Sequence, residues 1–138
     1  MFVRLFKQIL VGLGALLPDK ALHGMHIMIQ YMRLGRWMKS HGEQDKALIV
    51  SEYGIPMPAE YGFGAQRVTD FMLGTFDTML TAADPELGYP ADDYRLVQRW
   101  AWFSLADDTY ATGNLIDRAD GGLTPLGRAY AGYAAASP

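Results

Sequence analysis

One carboxylate closes a short apolar run in Ala47-Leu-Ile-Val-Ser-Glu-Tyr-Gly54, which puts Glu52 at a strand tip just before a glycine releases the chain. In parallel α/β architectures, strand tips are where side chains meet substrate. Further on, Arg99-Trp-Ala-Trp-Phe-Ser-Leu105 reads as a second strand, with Trp100 and Trp102 on one face by the two-residue period. An acid beside indoles suits carbohydrate, because a carboxyl group can act at a glycosidic bond while an aromatic ring packs against the sugar. That chemistry normally takes two carboxyl groups flanking the bond, one as general acid and the other as nucleophile or base.

Other residues have two readings each. Tyr53 follows the acid and could hydrogen-bond to it or pack beneath it. Asp107, Asp108, Tyr110 and Asn114 follow the second strand, where loops of such folds line a cleft, but Asp and Asn also satisfy local backbone donors in turns. The turn reading is preferred for the two aspartates, and both readings stay open for Tyr110 and Asn114. His23 and His26 are three apart and could share a helix face, yet no third ligand or thiolate accompanies them, so no metal is expected. Gly62-Phe-Gly64 lacks the third glycine and the preceding strand of a dinucleotide loop, and no cofactor is expected.

These residues need elements to hold them. Ile27, Tyr31, Leu34 and Met38, with Met25, Met28, Ile29 and Met32 on a neighbouring face, predict a helix over 25–40 that ends at His41-Gly42. Ala47 to Val50 is continuously apolar, the habit of a parallel strand covered on both faces. Val68, Phe71, Met72, Thr75, Met79 and Leu80 predict a second helix over about 66–83, stopped at Asp84-Pro85. Residues 95–98 read as a short helical turn leading into the strand 99–105, in which Ala101, Phe103 and Leu105 should face the helices or the opposite layer. Thr124-Pro125 opens a last helix, with threonine as cap and proline in the first turn.

Ahead of all this, Phe2, Leu5, Phe6, Ile9, Leu10, Leu13, Leu16 and Leu17 keep helical spacing up to Pro18. No small-x-small cleavage site follows, and the run is short of the roughly 20 residues that cross a bilayer. An amphipathic helix is expected there, neither a cleaved signal nor a stable membrane span. The net charge of −3 offers no basic footprint, so nucleic acid is not an expected partner. With no cysteine, disulfides, thiolate metal sites and thiol catalysis are excluded, while cytosol and export both stay open.

The segments around Glu52 and Trp102 resemble the closing part of the clan A glycoside hydrolases. In that family the seventh barrel strand ends in Ser/Thr-Glu-Tyr-Gly and the eighth carries a Trp-rich run. The resemblance extends from about His23 to the C-terminus and includes Trp102-Phe-Ser-Leu-Ala-Asp-Asp-Thr-Tyr-Ala-Thr-Gly-Asn-Leu-Ile-Asp117 and Gly122-Leu-Thr-Pro-Leu-Gly127, whereas residues 1–20 show none. It implies an α/β fold, a partial (β/α)8 TIM barrel made of the last two or so βα units with an additional N-terminal helix. It also implies two regions, 1–20 as that helix and 21–138 as the barrel part. A complete barrel needs roughly 250 residues, so 138 make at most about half.

By the same resemblance Glu52 is the nucleophile, Trp102 is the floor on which a sugar ring stacks, and Tyr53, Tyr110 and Asn114 are substrate contacts, while Trp100 belongs to the core. The family's acid/base glutamate comes from the fourth strand and has no counterpart here. The expected function is thus that of a glycoside hydrolase part that keeps its nucleophile and needs an N-terminal half. The competing expectation is an inactive carbohydrate-binding or self-associating remnant, and a third is a peripheral protein held at a membrane surface by residues 1–17. The carbohydrate reading requires Glu52 and Trp102 to project into one cleft at the sheet's carboxyl rim.

Overall fold

A computed structural model describes residues 20–137. The amphipathic segment expected over residues 1–17 lies outside them. The elements are α1 (Lys20–Ser40), β1 (Ile49–Tyr53), α2 (Ala65–Thr81), β2 (Arg99–Trp102) and α3 (Pro125–Ala136), with short 3-10 turns at Ala59–Tyr61, Pro90–Asp92 and Ala111–Gly113. The result is a mixed α/β fold: a parallel pair of strands with helices packed on it. Among the described residues no helix is long and apolar enough to cross a membrane.

Sequence dictates most of these boundaries. In α2 the side chains of Val68, Phe71, Met72, Thr75, Phe76 and Met79 are buried, which is the three-to-four-residue stripe of a helix lying on a core. Helix α1 buries Ile27, Tyr31 and Met38 against it and stops where Gly42 takes a left-handed φ of 71°. At the start of α3 the Thr124 side chain accepts from the Gly127 N–H at 2.9 Å, satisfying one of the free donors of the first turn. Gly127 is also where α3 meets the chain it covers, since a Cβ there would stand 1.9 Å from the Leu115 carbonyl oxygen.

Residues 95–98 do not form the expected helical turn. Their backbone groups pair sideways: Leu96 N–H donates to Ala82 O at 2.9 Å, and Gln98 N–H donates to Leu48 O at 3.0 Å. Gln98 clamps the same place with its side chain, accepting from Leu48 N at 2.6 Å and donating to Arg95 O at 2.8 Å. An extended segment with Leu96 and Val97 buried is the outcome. Local hydrogen bonding of a helix loses here to pairing with neighbours already in place.

β1 and β2 run parallel with Ile49 opposite Arg99, Val50 opposite Trp100 and Tyr53 opposite Trp102. The step from Val50 to Tyr53 is one residue longer than the step from Trp100 to Trp102, so Ser51 and Glu52 together oppose Ala101. This is a β-bulge, a device that re-aims side chains and recurs beside active sites. Sequence periodicity gave no sign of it.

Candidate active site at the end of the strand pair

The bulge sorts the side chains between two faces. Tyr53 stacks on Phe71 of α2 with ring centroids 5.8 Å apart, and Trp102 meets both Tyr53 and Phe76 edge-on at 5.9 Å. Val50, Tyr53 and Trp102 therefore belong to the helix-covered core. Ser51 and Glu52 are half-buried and lie opposite Ala101, which is exposed. Glu52 is thereby assigned to the face away from the helices. Its carboxylate makes no ion pair or side-chain hydrogen bond among the described residues.

Trp102 differs from the expected open platform. It is 9% exposed, and its indole N–H donates to Gly113 O at 2.9 Å, which fixes the ring between β2 and the loop that follows. Trp100, expected in the core, is only half-buried against Phe76 at 5.4 Å. The physical reason is the face on which both indoles lie: it is the one covered by α2, and coverage is deeper at the strand's tip than at its start. Ala101 and Leu105, expected to meet helices or a second layer, are exposed instead. Phe103, next in alternation after Trp102, is assigned by the two-residue period to the same side as Ala101, and is half-buried and not among the hydrophobics packed on the core.

The two strand tips are sewn together just past Glu52. Phe103 N–H donates to Tyr53 O at 2.8 Å, and a Cβ on Gly54 would stand 1.8 Å from the Phe103 carbonyl oxygen. Only glycine allows that approach. The glycine that closes Ser-Glu-Tyr-Gly thus has a packing role that holds Phe103 against the strand bearing the acid.

Asn114 organises the loop that follows. It is buried, its Oδ1 accepts from Ser104 Oγ at 2.5 Å and from Asp107 N at 2.7 Å, and its Nδ2 donates to Asp107 O at 2.9 Å. Thr124 Oγ1 donates to its carbonyl at 2.6 Å, linking the loop to the cap of α3. These bonds engage both ends of the Asn114 amide, so the residue shapes the loop from below. Tyr110, by contrast, is 39% exposed on the same loop.

The two aspartates behave as turn residues. Asp107 accepts from the backbone N–H groups of Tyr110 and Thr109 at 2.9 Å each, and these donors, Tyr110 first, hold its carboxyl below the ordinary range, with Arg118 adding to the effect. Asp108 is ion-paired with Arg118. Both aspartates thus serve the loop's own structure, Asp107 through backbone donors and Asp108 through its ion pair.

Tyr53 carries an electrostatic cost into the core. Burial raises its pKa well above 10.0, and the neighbouring Tyr31 hydroxyl adds to the rise, while Thr75 opposes it. Thr75, however, commits its hydrogen to Phe71 O at 2.7 Å, and the Tyr53 hydroxyl is left without a hydrogen bond of good geometry. Tyr53 is therefore placed under the strand tip. His23 is also buried, its ring 5.4 Å from Phe71, and no group of three or more His, Asp or Glu that could hold a metal occurs among the described residues.

Comparison with family models and with curated proteins gives no match. Among solved structures, the chain is similar to a GH128 (subgroup II) endo-beta-1,3-glucanase from Sorangium cellulosum, at 19% identity and a TM-score of 0.45 over 71% of this chain. The chain spans 32% of that protein's length.

Proposed function

We propose that this chain is the closing part of a glycoside hydrolase, with Glu52 as the nucleophile toward an O-glycosidic bond. The observation that carries the reading is the bulge at Ser51-Glu52, which presents an uncommitted carboxylate at the end of a parallel strand on the face the helices leave open. Phe103 takes the ring role expected of Trp102, because it belongs to the same face as the acid. Trp102, Tyr53 and Asn114 then act on substrate through the rim they hold, and Tyr110 is the candidate for direct contact from the loop.

By the resemblance, the partner acid belongs to the fourth barrel strand, which has no counterpart here. Glycosyl transfer to Glu52 can still be tested without it. A dinitrophenyl 2-deoxy-2-fluoroglucoside carries a leaving group that departs as a stable phenolate, so attack by the Glu52 carboxylate on the anomeric carbon needs no proton donor. The expected result is slow, single labelling at Glu52 by intact mass and peptide mapping, absent in Glu52→Gln. No labelling, or labelling that persists in Glu52→Gln, refutes the reading.

A second reading, an inactive carbohydrate-binding or self-associating remnant, is favoured by one feature. The sheet has two strands among the described residues, so each strand keeps one edge of backbone groups without a ladder partner. Such edges pair readily with other chains. A preceding or separate barrel half and a second copy of this chain are the two occupants that reading distinguishes.

A further inference from the structure

An open groove of about 910 Å³ runs between α2 and α3 along the start of β2, and Glu52 is not in its lining. Its walls are aromatic. Phe76 forms the centre, meeting Trp100 at 5.4 Å, Tyr133 at 5.5 Å and Tyr130 at 5.9 Å, and the last three are half-buried. Arg95 and Arg99 line its β2 end. Among the described residues its lining includes no Asp or Glu, although Asp92 and Asp77 stand just behind it on Arg95 and Tyr133.

The charges there are unequal in their commitments. Arg95 pairs with Asp92 at 2.7 Å, and the Tyr133 hydroxyl donates to Asp77 at 2.9 Å. Arg99 is exposed and has no ion pair among the described residues. A free cation beside half-covered rings is a local exception on a chain whose net charge is −3. Its size falls within the roughly 300–1,000 Å³ typical of small-ligand sites.

We infer that this groove is a second carbohydrate site, selective for acidic saccharides, in which a uronate carboxylate pairs with Arg99 while the pyranose ring packs on Trp100 and Tyr133. Guanidinium offers a carboxylate two parallel N–H donors, a geometry an ammonium lacks. The rings supply flat apolar surface for the C–H face of a sugar, with polar groups at the margin. A plain acidic peptide such as polyglutamate would satisfy Arg99 but offers the rings no apolar C–H face. The site is independent of Glu52 and does not depend on that residue being catalytic.

Titration calorimetry and amide and indole NMR of the full chain decide the matter, with tetragalacturonate as the probe and cellotetraose and tetraglutamate as controls. The expected result is saturable binding of tetragalacturonate that shifts the Trp100 indole N–H, is weakened about fivefold or more in Arg99→Gln, and is unchanged in Glu52→Gln. Arg99 is exposed, so an unchanged circular dichroism spectrum is expected of Arg99→Gln. The inference is overturned by absence of saturation, by equal binding of either control, by a smaller effect of Arg99→Gln, or by shifts confined to other residues.

Discussion

At the scale of single residues, burial separates candidates that sequence treats alike. Tyr53 and Trp102 flank the acid in sequence and register, yet both are pinned in the core, Trp102 through its N–H to Gly113 and Tyr53 by stacking on Phe71. Because the Tyr53 hydroxyl lacks a hydrogen bond of good geometry, Tyr53→Phe should leave stability unchanged or raise it by about 1 kcal/mol, read from urea unfolding. Asn114→Ala should do the opposite. It strands the Ser104 hydroxyl and the Asp107 N–H beneath the loop, and a loss of about 2–3 kcal/mol with unchanged helix content is expected. The sequence singles out Glu52 as a candidate through its Ser-Glu-Tyr-Gly setting, whereas the burial of Trp102 was not legible, because it depends on which face the helices cover.

At the scale of elements, the seam between β1 and β2 is the sensitive point. A methyl group on Gly54 collides with the Phe103 carbonyl, which is backbone and cannot rotate away, so Gly54→Ala should destabilise by about 3 kcal/mol or more. Calorimetry would read this as a large fall in melting temperature. Phe76 joins α2 to both indoles and to Tyr130 and Tyr133 of α3, and Phe76→Ala should lower stability by about 3–5 kcal/mol. Helices α1, α2 and α3 were readable because each buries a stripe at helical spacing or carries a capping threonine. The bulge and the extended run at 95–98 were not, since both arise from register and lateral pairing with distant residues.

At the scale of the whole molecule, two buried phenols tie folding to pH. Burial raises the pKa of Tyr31 and, with Tyr31 beside it, that of Tyr53, above the value of 10.0 that each has when unfolded. The unfolded chain then releases these protons first as pH rises, so the contribution is fully present below about pH 10 and is lost as pH climbs toward the folded values. Tyr133, pushed up to about 12 by partial burial and then by Asp77, acts in the same direction with less weight because it is more exposed. Melting temperature measured from about pH 8 to about pH 11 should fall at the alkaline end, and less steeply in Tyr53→Phe. Open strand edges make a second prediction at this scale. Light scattering should show association that grows with concentration, and a clean monomer across the range contradicts the edge argument.

By itself the sequence determined the helical stripes, the apolar strand leading to Glu52 and the capped start of the last helix, because those signals are local periods and single-residue preferences that hold wherever the segment lies. Tertiary structure alone decided that Ser51 and Glu52 share a bulge, that Trp102 is buried while Trp100 is half-covered, and that Arg99 lines an aromatic groove without an ion pair among the described residues. Those outcomes depend on which strand residue opposes which and which face a helix covers, and such pairings between distant parts of the chain leave no periodic trace in either segment alone.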